Sequence, residues 1–144
     1  MSFVDFSKAF DRVNYWKLFN KLLADKVDSS IVALLAFWYS HQVVHVRWKA
    51  ISSDGFSIGN GTRQGSLLSP YLFAYYIREL LSVIINSKVG CNIGGKFYNV
   101  LAYADDIVLL APGWAGLQIL LNLLHKCAND IDRTCNTAKT VCMM

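Results

Sequence analysis

Apolar residues recur along this chain with helical spacing at several places. Tyr15, Leu18, Phe19, Leu22 and Leu23 mark one face of a helix between Asn14 and Lys26, and Asn14 stands at its start as an N-cap. A second helix is predicted over Ser30 to Ser40, with Asp28, Ser29 and Ser30 as candidate caps. Ser69-Pro70 is a third helix start, Ser as cap and Pro as first helical residue, leading into YLFAYYIRELLSVIINS. Leu117, Leu120, Leu121, Leu124 and Ala128 mark a fourth helix from Gly116 to about Asp132. Between these lie strand candidates. FVDF (3–6) carries one Asp inside a short apolar run, and VVHVRWKA (43–50) and FSIGN (56–60) flank the turn signal SSDG. KFYNVLAYADDIVLLA (96–111) reads as β structure broken near its aspartates. Strands and helices interleave irregularly, which predicts an α+β domain with helices packed on one face of a sheet. A chain of 144 residues fits one such domain and can bury a sizeable core.

Composition changes the picture in one respect. The chain is 54% hydrophobic and only 17% charged, where about 25% charge is usual. Its longest apolar stretches, such as IVALLAFWY at 31–39, fall well short of the roughly 20 residues of a membrane span. No basic n-region leads into a long apolar segment, so no secretory signal is visible. The excess hydrophobicity therefore predicts surface covered by neighbouring protein, as in a piece of something larger. Four cysteines, at 91, 127, 135 and 142, show no zinc spacing and read as reduced thiols of an intracellular protein. A net charge of +4 is compatible with a nucleic-acid partner without requiring one.

Carboxylates are scarce, at ten in the whole chain, so two of them side by side in LAYADDIVLLA (101–111) stand out. An ionised carboxylate in apolar surroundings costs several kcal/mol unless it is paired. A hairpin pairing Val100 to Ala104 with Ile107 to Ala111 would let Asp105 and Asp106 reach solvent at its tip. Asp tolerates a tight turn, so a solvated turn accounts for one aspartate. It gives no reason for a second Asp followed by Ile, and a cation would relieve the repulsion between the two. Mg²⁺ suits such a pair, because it takes one or two protein carboxylates and completes its shell with water and phosphate oxygens. Asp5 in FVDF is placed much as Asp105 is. Were the two segments neighbours in one sheet, three carboxylates would converge, enough for two divalent ions about 3.5 to 4 Å apart.

NGTRQGSLLSPYLF (60–73) adds a glycine-rich loop before a helix. Gly59, Gly61 and Gly65 permit close backbone approach to a ligand, Arg63 offers a fork for phosphate, and Gln64 can touch a sugar or base edge. An ordinary loop before a capped helix would look the same.

Together these segments resemble the reverse transcriptases of non-LTR (LINE-type) retrotransposons and their group II intron relatives. FVDFSKAFDRVNYWKLFNKL resembles their first catalytic motif, with its AFD signature. GTRQGSLLSPYLF is similar to the RQG…SP…LF motif, AYADD to the [FY]xDD box, and CNTAKTVCM to the later N..KT motif. Order and spacing agree along nearly the whole chain. The resemblance implies a polymerase palm, a small antiparallel sheet packed on helices with carboxylates on its open face. It implies an RNA-directed DNA polymerase that adds dNTPs to a DNA primer on an RNA template, with two Mg²⁺ ions for which Mn²⁺ can substitute. By the same resemblance Asp5, Asp105 and Asp106 would hold the metal. Phe6 would lie beside the triphosphate through its backbone. Phe10 would pack under the incoming sugar and disfavour a 2′-hydroxyl. Arg63 and Gln64 would contact the incoming nucleotide and the template, and Lys139 would assist pyrophosphate departure.

The chain opens two residues before its first motif and ends at Met144. The expectation is thus a single partial palm domain over residues 1–144, with the family's fingers and thumb largely missing. Thr62 stands where the family often has Val. Two other readings stay open: an inactive truncated remnant of a mobile element, and a nucleic-acid-binding module that uses its aromatic surface without catalysis.

Overall fold

The computed structural model describes residues 1–63 and 65–143. Four strands form one antiparallel sheet in the order β10-β1-β9-β8, where β1 is Ser2–Val4, β8 Val100–Tyr103, β9 Asp106–Leu109 and β10 Val141–Cys142. The two ends of the chain therefore meet, as β10 pairs Cys142 with Ser2. The helices are α1 (Tyr15–Ala24), α2 (Ser29–Ser40), α3 (Ser69–Ile85) and α4 (Trp114–Asp130). The α+β expectation, with helices against one face of a small antiparallel sheet, holds.

Alternation along the central strands explains the layering. Val4, Ile107 and Leu109 are buried against the helices, while Phe3, Asp5 and Asp106 turn to the other face. The core is filled by Leu72, Phe73, Tyr76, Ile77, Leu80 and Ile84 of α3 and by Leu117, Leu120, Leu124 and Ala128 of α4. Each fully buried leucine contributes on the order of 2 kcal/mol. α1 is N-capped as expected, Asn14 accepting from the Lys17 amide at 3.2 Å. Asp28 caps α2 by accepting from the Ser30 amide.

Three local expectations are corrected. Ser69 is the first residue of α3 and not its cap, because its hydroxyl turns back to the Arg63 carbonyl. α4 begins at Trp114, two residues before Gly116, with Gly113 at its N-cap, and closes at Asp130. The 43–57 segment is not two strands around SSDG. It is one two-armed ribbon, β2 (Val43–Val44) with β5 (Phe56–Ser57) and β3 (Arg47–Trp48) with β4 (Ile51–Ser52). Its turn is Lys49-Ala50, Lys49 taking the left-handed φ of 54°. Ser53 extends the pairing through its amide and hydroxyl to Val46, which draws SSDG into the returning arm. A further hairpin, β6 (Cys91–Ile93) with β7 (Lys96–Tyr98), precedes β8 and turns at Gly94-Gly95, both at positive φ.

All four cysteines are unpaired thiols. No helix among the described residues is long and apolar enough to cross a membrane. Much apolar surface is uncovered, including Leu34 and Phe37 of α2 at 66% and 64% exposure.

Candidate nucleotidyl-transfer site

The hairpin expected at YADD forms with a two-residue tip. Tyr103 pairs with Asp106, leaving Ala104 and Asp105 as the turn. Ala104 takes a φ of 53°, a conformation that costs a non-glycine residue about 1 kcal/mol or more. β9 lies between β8 and β1, so the turn is anchored by paired backbone on both sides. The β1–β9 register ends with Val4 opposite Ile107, which brings Asp5, the residue after Val4, to the same end of the sheet as the Ala104–Asp105 turn.

Beyond Asp5 the chain forms a loop that the far end of the sequence ties down. Phe6 makes an isolated bridge to Cys135, and the Asp5 carbonyl accepts from the Asn136 amide at 2.8 Å. The Ser7 amide donates to Thr134 at 3.2 Å, and Arg12 Nη1 donates to the Thr134 hydroxyl, also at 3.2 Å. Asn136 in turn holds the 136–140 turn, accepting from the Lys139 and Thr140 amides and from the Thr140 hydroxyl. Those bonds go to the Asn136 main-chain carbonyl; what the Asn of the N..KT pattern adds is its side-chain Oδ1, which accepts from the Ala138 amide at 3.2 Å within the turn that carries Lys139.

These ties enclose an open cavity of about 440 Å³ with Asp5, Phe6, Phe10, Asp105 and Lys139 in its walls, together with Lys8, Asp11 and Asn136. Five sequence-expected residues thus share one space. Asp106 is exposed and does not line it. Phe10 stacks on Phe73 with ring centroids 4.5 Å apart, which seats it on the core. It also walls a neighbouring apolar cavity of about 700 Å³ in front of α3, lined by Ser66, Leu67 and Tyr71.

Arg63 stands elsewhere. It lines a third cavity, of about 430 Å³, beside Asp11, and its Nε donates to Gln42 Oε1 at 3.0 Å. Gln64 lies outside the described residues. The loop bearing them is stitched to the Phe10 loop. Gly61 and Thr62 amides donate to Val13 and Phe10 carbonyls at 2.9 and 2.8 Å, and the Tyr15 hydroxyl donates to Gly61 at 2.7 Å. Gly61 has a φ of 95°, and a Cβ there would stand 2.6 Å from the Asp11 carbonyl oxygen. That is why this glycine sits at that position.

Asp11, Lys8 and Asn136 were not singled out from the sequence. AFD and N..KT are signals in which Asp11 and Asn136 could have been read, whereas Lys8 is an ordinary charged residue until the loop folds. Arg133 was also missed. It is 1% exposed beneath the loop, its Nη1 donating to the Lys8 carbonyl at 3.3 Å and its guanidinium over the rings of Phe73 (5.7 Å) and Tyr76 (5.5 Å). Burial pulls its pKa below the usual arginine value, against a smaller opposing pull from Tyr76.

The donor set fits a hard divalent cation. Asp5 and Asp105 offer carboxylate oxygens to one open space, and Mg²⁺ needs only one or two such ligands when water and phosphate complete its shell. Among the described residues no three His, Cys, Asp or Glu side chains lie together so as to hold a metal ion, so the expected convergence of Asp5, Asp105 and Asp106 is reduced to the Asp5–Asp105 pair in this cavity. A cage made wholly by protein is therefore not what this site offers.

The family model for reverse transcriptase (RNA-dependent DNA polymerase) matches residues 1–144. The chain belongs to the reverse transcriptase family. It is 33% identical over 119 residues to the retrovirus-related Pol polyprotein from type-2 retrotransposable element R2DM of Drosophila melanogaster, covering 83% of this chain and 11% of that protein. It is 30% identical over 119 residues to the transposon TX1 uncharacterized 149 kDa protein of Xenopus laevis, covering 80% of this chain and 9% of that protein. Similarity to the Pol polyprotein from the type-1 element R2 of Nasonia vitripennis is 28% over 127 residues, 87% of this chain and 12% of that protein. This reverse transcriptase chain thus spans about a tenth of the length of the relatives it matches.

Proposed function

We propose that this chain is the palm of an RNA-directed DNA polymerase of a non-LTR retrotransposon, adding dNTPs to a DNA primer 3′-hydroxyl on an RNA template. The observation that carries this reading is the shared cavity of Asp5, Phe6, Phe10, Asp105 and Lys139. Asp5 and Asp105 would hold Mg²⁺, or Mn²⁺ in its place, and Asp106, exposed beside Asp105 and outside the cavity, would join them only when a metal draws it in. Two such ions, when bound, supply the charge that acidifies the primer hydroxyl and neutralises the leaving pyrophosphate. The protein's part is positioning. The Phe6 and Phe10 loop, pinned by Thr134 and Asn136, holds the nucleotide at a fixed depth. Phe10, backed by Phe73, is rigid enough to exclude a 2′-hydroxyl from the sugar position. Lys139 on the opposite wall brings a cation to the triphosphate as charge moves onto the leaving group. Arg63 would reach phosphate or template from the adjoining cavity once its bond to Gln42 is given up, and Gln64, the next residue in sequence, would share that role. Fingers and thumb of a longer polyprotein would supply the remaining grip.

The test is primer extension by the 144-residue chain on an RNA template, in Mg²⁺ and in Mn²⁺, beside Asp105→Asn. Extension should disappear in the variant while its melting temperature stays level or rises, since a repulsive charge is removed. Extension that survives Asp105→Asn sinks the assignment. A chain that melts cooperatively yet never extends a primer in either metal is instead a folded remnant.

A further inference from the structure

Most exposed apolar side chains here have no charged neighbours along the chain, as in α2, whose twelve residues include no charge. The β2–β5 ribbon differs. Its outer arm pairs Trp48 with Ile51 next to the two-residue turn, and both are three-quarters exposed, at 74% and 75%. They form an apolar platform at the tip with no core behind it. Lys49 sits at the turn and Arg47 follows on the opposite face of the ribbon, its Nε donating to the Lys49 carbonyl at 3.4 Å. Between residues 41 and 63 the cations are Arg47, Lys49 and Arg63, against Asp54 as the one carboxylate, with His41 and His45 also present. An exposed indole beside a cationic turn residue, with a second cation on the other face of the same arm, can stack an unpaired base while the cations neutralise phosphates on either side.

The ribbon is also continuous with the catalytic face. Asp11 lines both the carboxylate cavity and the neighbouring one that holds Arg63. That second cavity is walled by Val44 and Ile58, at the root of the ribbon, and by Gln42. The Arg63 cavity thus adjoins the carboxylate cavity at Asp11 and the root of the ribbon at Val44 and Ile58.

We propose that Trp48, flanked by Arg47 and Lys49, is a base-stacking contact for single-stranded nucleic acid running outward from the catalytic cavity. The contact rests on the polymerase reading for the origin of that strand, but it is a binding property that can be measured without catalysis. It predicts low sequence preference, because every base offers a π-face. It also predicts salt sensitivity, because the contact includes two phosphates.

The experiment is fluorescence anisotropy of a labelled oligouridylate titrated with the full chain, comparing Trp48→Ala, Trp48→Phe and Trp114→Ala. Trp114, 59% exposed at the start of α4, has no cation within several residues and serves as the control. Trp48→Ala should weaken binding by roughly five- to a hundredfold. Trp48→Phe should restore most of it, and Trp114→Ala should change nothing. Replacing Arg47 and Lys49 by Gln should flatten the slope of log Kd against log salt by about 1.4. Thermal melts should stay unchanged in every variant, since nothing buried is touched. Binding unaffected by Trp48→Ala, equal losses at Trp48 and Trp114, or no binding by the parent chain would each overturn the proposal. A melting temperature that falls in Trp48→Ala would do so too, by showing that the ring packs on protein. Loss of extension in Asp105→Asn with oligouridylate binding intact separates the two readings, and so does intact binding in a chain that never extends.

Discussion

Replacing Arg133 by Met should make this protein more stable. Arg133 is 1% exposed, and burial disfavours its charge more than Tyr76, Asp11 and Asp132 favour it. Its Nη2 has no hydrogen-bond partner among the described residues. An unmet donor at a charged, buried group costs about 1 to 3 kcal/mol, with a further cost for desolvating the charge. Against this stand one 3.3 Å bond to the Lys8 carbonyl, two ring contacts beyond 5 Å and a weaker attraction from Asp11 and Asp132. These offset roughly 2 to 3 kcal/mol in sum. Met fills a similar space with a flexible apolar chain and keeps contact with Phe73 and Tyr76. The expected balance is a gain of about 1 to 2 kcal/mol, the lower part of the range seen when buried ionic groups give way to apolar ones. For a chain of this size that is a rise in Tm of about 3 to 8 °C, measured by circular dichroism or calorimetry at neutral pH. Arg133→Lys should melt below the Met variant, because it keeps the buried charge with fewer donors. A fall in Tm for Arg133→Met would refute the reasoning and mean that the guanidinium has a partner worth more than its desolvation, such as an internal water on Nη2.

Three further outcomes are expected. Asn99 is 2% exposed and its amide donates to the Ile84 and Val89 carbonyls at 2.6 and 2.9 Å, so Asn99→Ala should lower stability by roughly 2 to 3 kcal/mol in urea titration; a change under 0.5 kcal/mol would contradict that role. Gly61→Ala would push a methyl to 2.6 Å from the Asp11 carbonyl oxygen, whereas Gly65→Ala meets nothing within 4 Å. Both incur left-handed strain of about 1 kcal/mol, but Gly61→Ala should melt several degrees lower than Gly65→Ala, and equal melting temperatures would remove the close approach from the argument. Burial raises the Tyr15 hydroxyl from 10.0 to about 12, with a smaller push from Tyr39. Its folded pKa lies above its unfolded one, so its contribution is complete below pH 10 and is lost as pH climbs towards 12. An alkaline phenol titration should show one late-ionising phenol fewer in Tyr15→Phe than in wild type, the late steps of Tyr39 and Tyr76, also raised by burial, being kept.

How much of this could be read in advance depended on whether the signal was local. Helical periodicity and the caps at Asn14 and Asp28 are short-range, and α1 and α2 formed where expected. Ser69 misled because its hydroxyl had a competitor six residues upstream, the Arg63 carbonyl. SSDG misled because turn residues are equally at home in a returning arm, while Lys49 took the left-handed position that composition assigns to Gly or Asn. The carboxylates were legible as anomalies in apolar runs. Their meeting was expected only on the supposition that FVDF and YADD neighbour in one sheet and from the resemblance, since the contacts between residues 5–7 and 134–136 that tie the cavity wall are encoded by no local pattern. Arg133 was invisible for the opposite reason: a lone arginine normally reads as surface.

The arrangement also explains why the aspartates sit in apolar strands when solvent loops would accept them more cheaply. On the proposed metal-binding reading the carboxylates must keep their place without a cation, which needs a backbone that does not relax as charges repel. β9 supplies that, fixed by Ile107 and Leu109 in the core and by ladders on both sides, with the strain of Ala104 held at its tip. β8 is an edge strand and its Leu101 and Tyr103 face solvent, so it contributes the turn more than the rigidity. On the facing side Asp5 follows a strand of only three residues, too short to be stiff by itself. Its stiffness is borrowed from the end of the chain, through β10, the Phe6–Cys135 bridge and the Asn136 amide. Loss of the 134–142 segment should therefore free Asp5 before it disturbs Asp105. The two carboxylates are supported independently, and the site holds only while both supports are in place.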